Sequence, residues 1–212
     1  LAAYIVAPVA GYSRRARENL TRIYPEKSRN ELRHLSRAVC RNAGMMMIES
    51  YSYADMCKRL RDVPLTGPGV KALRAAHQND QPAILVSGHF ANHSVTRILL
   101  HRDGFPIGGL YRPMNNKFFN EHYIHTLEEI GKPLFERGRA GLSQMIRHLK
   151  TGGFLGILID QYFHEGAETQ FMGLATRTST SAAEMALKFD ALLIPIYAIR
   201  TGDKRGFICE VE

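Results

Sequence analysis

The sequence predicts an α/β fold, a mixed central sheet flanked by helices and preceded by a basic N-terminal helical region. Three observations predict it. The segment from Pro82 to Ser87, PAILVS, is a short continuous apolar run bounded by polar residues, the pattern of a strand buried on both faces. From there to the C-terminus such runs alternate with segments of helical periodicity. Gly and Pro cluster where the texture changes, as at Pro64, Gly67, Pro68 and Gly69.

The elements follow in order. Leu1–Gly11 is apolar, contains Pro8 and is about half the length that spans a bilayer. It reads either as the remnant of a membrane anchor or interfacial segment, or as an ordinary buried element. Arg14, Arg15 and Arg17 follow at once and favour the membrane reading. The chain has no initiator Met and is expected to begin inside a longer protein. Ser28-Arg29-Asn30-Glu31 is a capping box that opens a helix. Leu32, Leu35, Val39 and Met46 recur at helical spacing as its expected inner stripe, while Arg29, Arg33, Arg37 and Arg41 form a row at i+4. Four guanidinium groups in a row repel one another unless an anion lies across them. Helix is expected to about Lys58, with a break at Gly44.

Beyond the turn residues, Val70–His77 reads as a short helix. Strands are expected at Pro82–Ser87, Ile107–Tyr111, Pro133–Phe135, Phe154–Ile159, Leu193–Ile199 and Phe207–Val211, and helices at Lys117–Ile130, Ala140–Lys150 and Thr180–Phe189. The expected organisation is a membrane-proximal basic region over 1–65 and an α/β core over 66–212.

Composition narrows the function. At 212 residues, 45% apolar and 23% charged, the chain is an ordinary globular protein, which excludes a disordered tail, a collagen or a rod. The three cysteines, Cys40, Cys57 and Cys209, offer neither a disulfide framework nor a metal knuckle and suit a reducing compartment. The net charge of +8 lies wholly in residues 1–75, which hold 14 basic and 6 acidic side chains. A surface there should meet an anionic partner. No G-x-S-x-G elbow, P-loop or dinucleotide fingerprint is present. The pairs His89/His93 and His122/His125 lack a third ligand at fitting spacing, so no metal is expected.

In sheets of this kind reacting groups sit past the carboxyl ends of strands. There Ser87-Gly88-His89-Phe90-Ala91-Asn92-His93-Ser94 places an imidazole at a strand mouth, beside the start of the next helix. Arg112 and the turn Arg137-Gly138-Arg139 also follow strands and offer guanidinium and backbone N–H groups to phosphate. Asp160, at another strand end, reads first as a hydrogen-bonded turn residue and second as a catalytic acid.

Gly88, His89, Phe90 and Asn92 resemble the G-H-F-x-N segment of the lipid A secondary acyltransferases, within the lysophospholipid acyltransferase group. Five further stretches resemble that family in order: Leu110–Asn116, Glu136–Leu142, Gly156–Gln161, Phe171–Gly173 with Ala175–Thr178, and the strand holding Pro195. Arg17–Leu20 also fits, and the similarity covers nearly the whole chain. The resemblance implies a glycerol-3-phosphate acyltransferase-like sandwich, lacking C-terminal residues of the longer family members. It implies an O-acyltransferase at the cytoplasmic face of a Gram-negative inner membrane. The enzyme would use acyl carrier protein or CoA thioesters as co-substrate, with no cofactor, and would meet membrane lipids and no nucleic acid.

It also implies that His89 takes the proton of a lipid hydroxyl, with Asn92, Arg112, Arg137, Gly138 and Arg139 around the substrate. The family's H-x4-D/E acid falls on Ser94, which carries no charge. Three readings follow: Asp160 or Glu121 stands in, Ser94 suffices, or the site is weakened. The rival from another class is a nucleic-acid-binding module built on the basic N-terminal third. Duplex binding with a steep salt slope would mark the rival, and binding to anionic vesicles the acyltransferase.

Overall fold

The computed structural model describes residues 11–202 and 206–212. The apolar opening, residues 1–10, lies outside the described residues. The chain divides into two compact units, one made of residues through Ser52 with 168–177, the other of 53–167 with 178–212.

In the first unit, α1 (Tyr12–Ile23) and α2 (Arg29–Ser50) are joined by a hydrogen bond from the Ser36 hydroxyl to the Ser13 carbonyl, at 3.1 Å. The capping box is formed: Glu31 N–H donates to Ser28 Oγ, and Ser28 N–H donates to Glu31 Oε2. Two expectations for this helix fail. Gly44 does not break it; the break comes at Tyr51-Ser52, before α3 (Tyr53–Leu60). Its buried stripe is Leu32, Ser36 and Cys40, whereas Val39 is exposed. These three lie at i, i+4 and i+8, one straight row on the helix, and Val39 falls off it. Arg29, Arg33, Arg37 and Arg41 are all exposed.

The second unit is the α/β core. Its elements are α3, β1 (Leu65–Thr66), α4 (Val70–Gln78), β2 (Ala83–Ser87), α5 (Ser94–Arg102), β3 (Ile107–Tyr111), α6 (Lys117–Ile130), β4 (Leu134–Glu136), α7 (Arg139–Lys150), β5 (Phe154–Leu158), α8 (Ser181–Phe189), β8 (Leu192–Arg200) and β9 (Phe207–Val211). Between β5 and α8 the strands β6 (Ala167–Phe171) and β7 (Leu174–Thr178) form a separate hairpin that turns at Met172 and Gly173, both at positive φ.

The seven-stranded sheet runs β1-β9-β8-β2-β5-β3-β4. β8, β2, β5, β3 and β4 are parallel, and β9 runs antiparallel to β8. Both faces are covered. Ala83 and Leu85 of β2 join Met56, Leu73, Val95, Leu99 and Phe154 on one face. Ile84 and Val86 join Leu149, Leu155, Ile157, Met185 and Ala186 on the other. Burial on alternate faces is why the run from 83 to 86 has no polar phase.

Two arginines, Arg97 half-buried and Arg102 more exposed, fasten helices of this layer. Arg97 of α5 donates to the Leu127 and Gly131 carbonyls at the C-terminus of α6. Arg102 donates to the carbonyls of Leu60 and Val63, at 2.6 and 2.8 Å, which ties down the end of α3. Each cation meets the negative end of a helix.

Candidate active site

The strand order lines up the residues picked from the sequence. β2, β5, β3 and β4 are consecutive neighbours, and their carboxyl ends lie level: Ser87 pairs with Leu158, and Tyr111 with Glu136. The ladder continues one step further, with Ile159 N–H donating to Ser87 O and Arg137 N–H to Tyr111 O. Gly88-His89, Asp160-Gln161, Arg112 and Arg137-Gly138-Arg139 therefore leave the sheet side by side along one edge. At about 4.8 Å per strand, the basic turn stands roughly 14 Å from the histidine.

His89 is held by the neighbouring strand end. Its ring Nδ1 lies 2.7 Å from Asp160 Oδ1, and its main-chain N–H donates to Asp160 Oδ2 at 2.6 Å. The two oxygens of one carboxylate thus fix both the backbone and the ring. A carboxylate facing Nδ1 selects the tautomer that is protonated there, which leaves the Nε2 lone pair outward. The Gln161 side-chain nitrogen lies 3.4 Å from Nε2. The His89 side chain is 40% exposed and that of Asp160 24%, so substrate can reach the ring. Gly88 eases the pairing: a Cβ there would lie a tight 3.1 Å from Asp160 Oδ2.

Of the three acids and acid substitutes considered, the structure brings Asp160 to His89. Ser94 is the first residue of α5, and its N–H donates to Asn92 Oδ1 at 3.1 Å. Among the described residues it makes no hydrogen bond to His89. Asn92 is buried, and this bond uses its carboxamide oxygen to cap the helix start. Glu121 is exposed on α6. Arg112, Arg137 and Arg139 are exposed. Gly138 is the N-cap of α7, whose first N–H groups have no side-chain cap and face the same edge. Gly141 lets the helix start this close to the sheet, because a Cβ there would lie 1.7 Å from the Glu136 carbonyl oxygen.

One neighbour escaped the sequence reading. The His93 ring packs against His89 with centroids 5.3 Å apart and planes at 61°. Its Nδ1 is buried without a hydrogen-bond partner among the described residues. Burial, aided by the adjacent His89 and opposed by Asp160, pushes its pKa down to about 4, so it is neutral at physiological pH. A His four residues after His89 was visible, but only as half of a metal-type pair.

The sequence profile of the bacterial lipid A biosynthesis acyltransferases matches residues 1–212, the whole chain. The chain belongs to this family. It is an acyltransferase by that membership. No curated protein matches it. Among the described residues, no helix of this acyltransferase is long and apolar enough to cross a membrane.

Proposed function

We propose that the protein moves a fatty acyl group from a thioester donor to a hydroxyl of a lipid acceptor, with His89 as general base. The observation that carries this reading is the His89 Nδ1–Asp160 Oδ1 contact of 2.7 Å, which leaves Nε2 as the proton acceptor. The acceptor O–H gives its proton to Nε2 while its oxygen attacks the thioester carbonyl. The ester C–O bond forms, the C–S bond breaks, and the imidazolium returns the proton to the departing sulfur. The Asp160 carboxylate stabilises the imidazolium that forms between these steps. Asp160 fills the place that the family pattern gives to the residue at Ser94.

Arg112, Arg137, Arg139 and the uncapped start of α7 supply cationic and N–H donors that suit a phosphate. Roughly 10 Å of strand edge separates Arg112 from the base and roughly 14 Å separates the β4 turn from it, a span that suits a phosphorylated lipid headgroup whose hydroxyl reaches His89. Lipid A precursors fit this description; in a lyso-phospholipid the free hydroxyl lies only a few bonds from the phosphate, short of this span, and an aminolipid acceptor would leave the arginines without a phosphate. The donor is an acyl carrier protein or CoA thioester. The exposed arginine row of α2 suits either an acidic carrier protein or the anionic lipids of the cytoplasmic face of an inner membrane. Incubating the purified protein with acyl carrier protein and CoA donors and vesicles of each acceptor, followed by lipid mass spectrometry, tests the reading. It expects an acceptor mass raised by one acyl chain. Thiol release with no acylated lipid for any pair would overturn it.

A further inference from the structure

His89 is met at both ring nitrogens by consecutive residues of one strand end, firmly at Nδ1 and loosely at Nε2, and the second contact has a consequence for water. Asp160 accepts from Nδ1–H, so Nε2 carries the lone pair that must take a proton. Gln161 directs its side-chain nitrogen at that same lone pair, 3.4 Å away, and an amide nitrogen can only donate. The contact is long for a hydrogen bond and therefore easily exchanged. The ring is 40% exposed, so water would otherwise reach Nε2.

An activated water here attacks the thioester carbonyl; the C–O bond forms, the C–S bond breaks, and a free fatty acid and a thiol leave. That reaction wastes the donor. We infer that Gln161 is a specificity-determining residue that occupies the Nε2 lone pair of His89 until the acceptor hydroxyl displaces it, and so suppresses donor hydrolysis. The inference rests on the acyl-transfer reading of His89. A lipid hydroxyl positioned by its headgroup outcompetes the carboxamide, because its binding is fixed elsewhere; a lone water has no such anchor.

Two variants separate hydrogen bonding from bulk. Gln161→Met keeps the length and removes the donor, and Gln161→Ala removes both. The first measurement needs no substrate: the rate at which diethyl pyrocarbonate modifies His89, read by peptide mass spectrometry. Both variants should react several-fold faster than the parent. The second is the ratio of donor hydrolysis to lipid acylation, which should rise several-fold in both. An unchanged modification rate in Gln161→Met, or a raised rate with an unchanged ratio, overturns the inference. A parent enzyme that neither acylates nor hydrolyses overturns the acyl-transfer reading instead, and the modification rate still decides whether Gln161 holds the lone pair.

Discussion

Asp160 holds His89 twice, through the ring Nδ1 at 2.7 Å and the main-chain N–H at 2.6 Å. The two residues are 71 positions apart and meet because β2 and β5 are adjacent and parallel with Ser87 opposite Leu158. A base oriented by a carboxylate fixed to its own backbone has little freedom to turn, so the lone pair points where the sheet edge directs it.

Replacing the charge without the shape is the sharpest change at this pair. Asp160→Asn keeps an acceptor for the His89 amide but cannot stabilise the imidazolium. The kcat/KM for acyl transfer should fall about 100-fold or more, since loss of the acid's charge in a comparable triad costs about 10,000-fold. Ser94→Ala should change it less than about threefold. A Ser94→Asp variant should bring no gain, because the Nδ1 site of His89 is already taken by the Asp160 carboxylate. A clear rate increase in Ser94→Asp with little loss in Asp160→Asn would return the acid's role to position 94.

Gly88→Ala tests the fit between the strands. The added methyl would meet Asp160 Oδ2 at 3.1 Å, closer than carbon and oxygen normally sit, so the carboxylate must give by a few tenths of an ångström. Misplacement of a catalytic group by about 1 Å can cost 100-fold, so this smaller shift should lower kcat a few-fold with KM little changed. Parent-like kcat would show that the carboxylate can shift at no cost to catalysis.

His93 gives the fold a pH dependence. Its folded pKa is pushed down to about 4, below the value of about 6.5 expected when unfolded, so the unfolded chain binds the extra proton between these values. Stability is complete above about pH 6.5 and is lost as pH falls toward 4. At pH 4.5 the loss from this group is about 2–3 kcal/mol. His93→Phe should remove that part of the slope in urea melts at pH 7 and 4.5. An identical slope would mean that His93 is not buried as a neutral ring.

The arginine row of α2 should act through long-range charge. Arg33→Glu with Arg37→Glu should weaken binding to anionic vesicles at about 10 mM salt, where the screening length is about 30 Å, and far less at about 150 mM, where it is about 8 Å. Co-sedimentation measures it. Equal binding by the variant and the parent at low salt would remove the row from any anionic contact.

Most sheet strands were legible in the sequence because they are largely apolar and end sharply at polar or turn residues, most clearly β2, which is buried throughout. Ile107–Tyr111, Phe207–Val211 and the amphipathic α6 over Lys117–Ile130 have the bounds the pattern gave. The β6–β7 hairpin was not legible: every residue of β6 is exposed, so no buried phase marks it. Helix α1 was missed for the same reason, since none of its residues is buried. Val39 misled because an apolar residue one position off the Leu32–Ser36–Cys40 row still looks periodic. At the site, His89 and Asp160 were each visible as strand-end residues. Their pairing was not, because it depends on which strands are neighbours, and the order β2-β5-β3-β4 is written in no local pattern. The burial of His93 against His89 depends on the same assembly.

The central claim is that Nε2 of His89 takes the acceptor's proton. The most direct test is His89→Ala, followed by mass spectrometry of the lipid product with an acyl thioester donor and the acceptor found for the parent. Loss of acyl transfer by about 1,000-fold or more is expected, within or above the contribution of a general base, with a thermal midpoint within a few degrees of the parent because the side chain is 40% exposed. Acylation at the parent's rate by a folded His89→Ala protein would contradict the account.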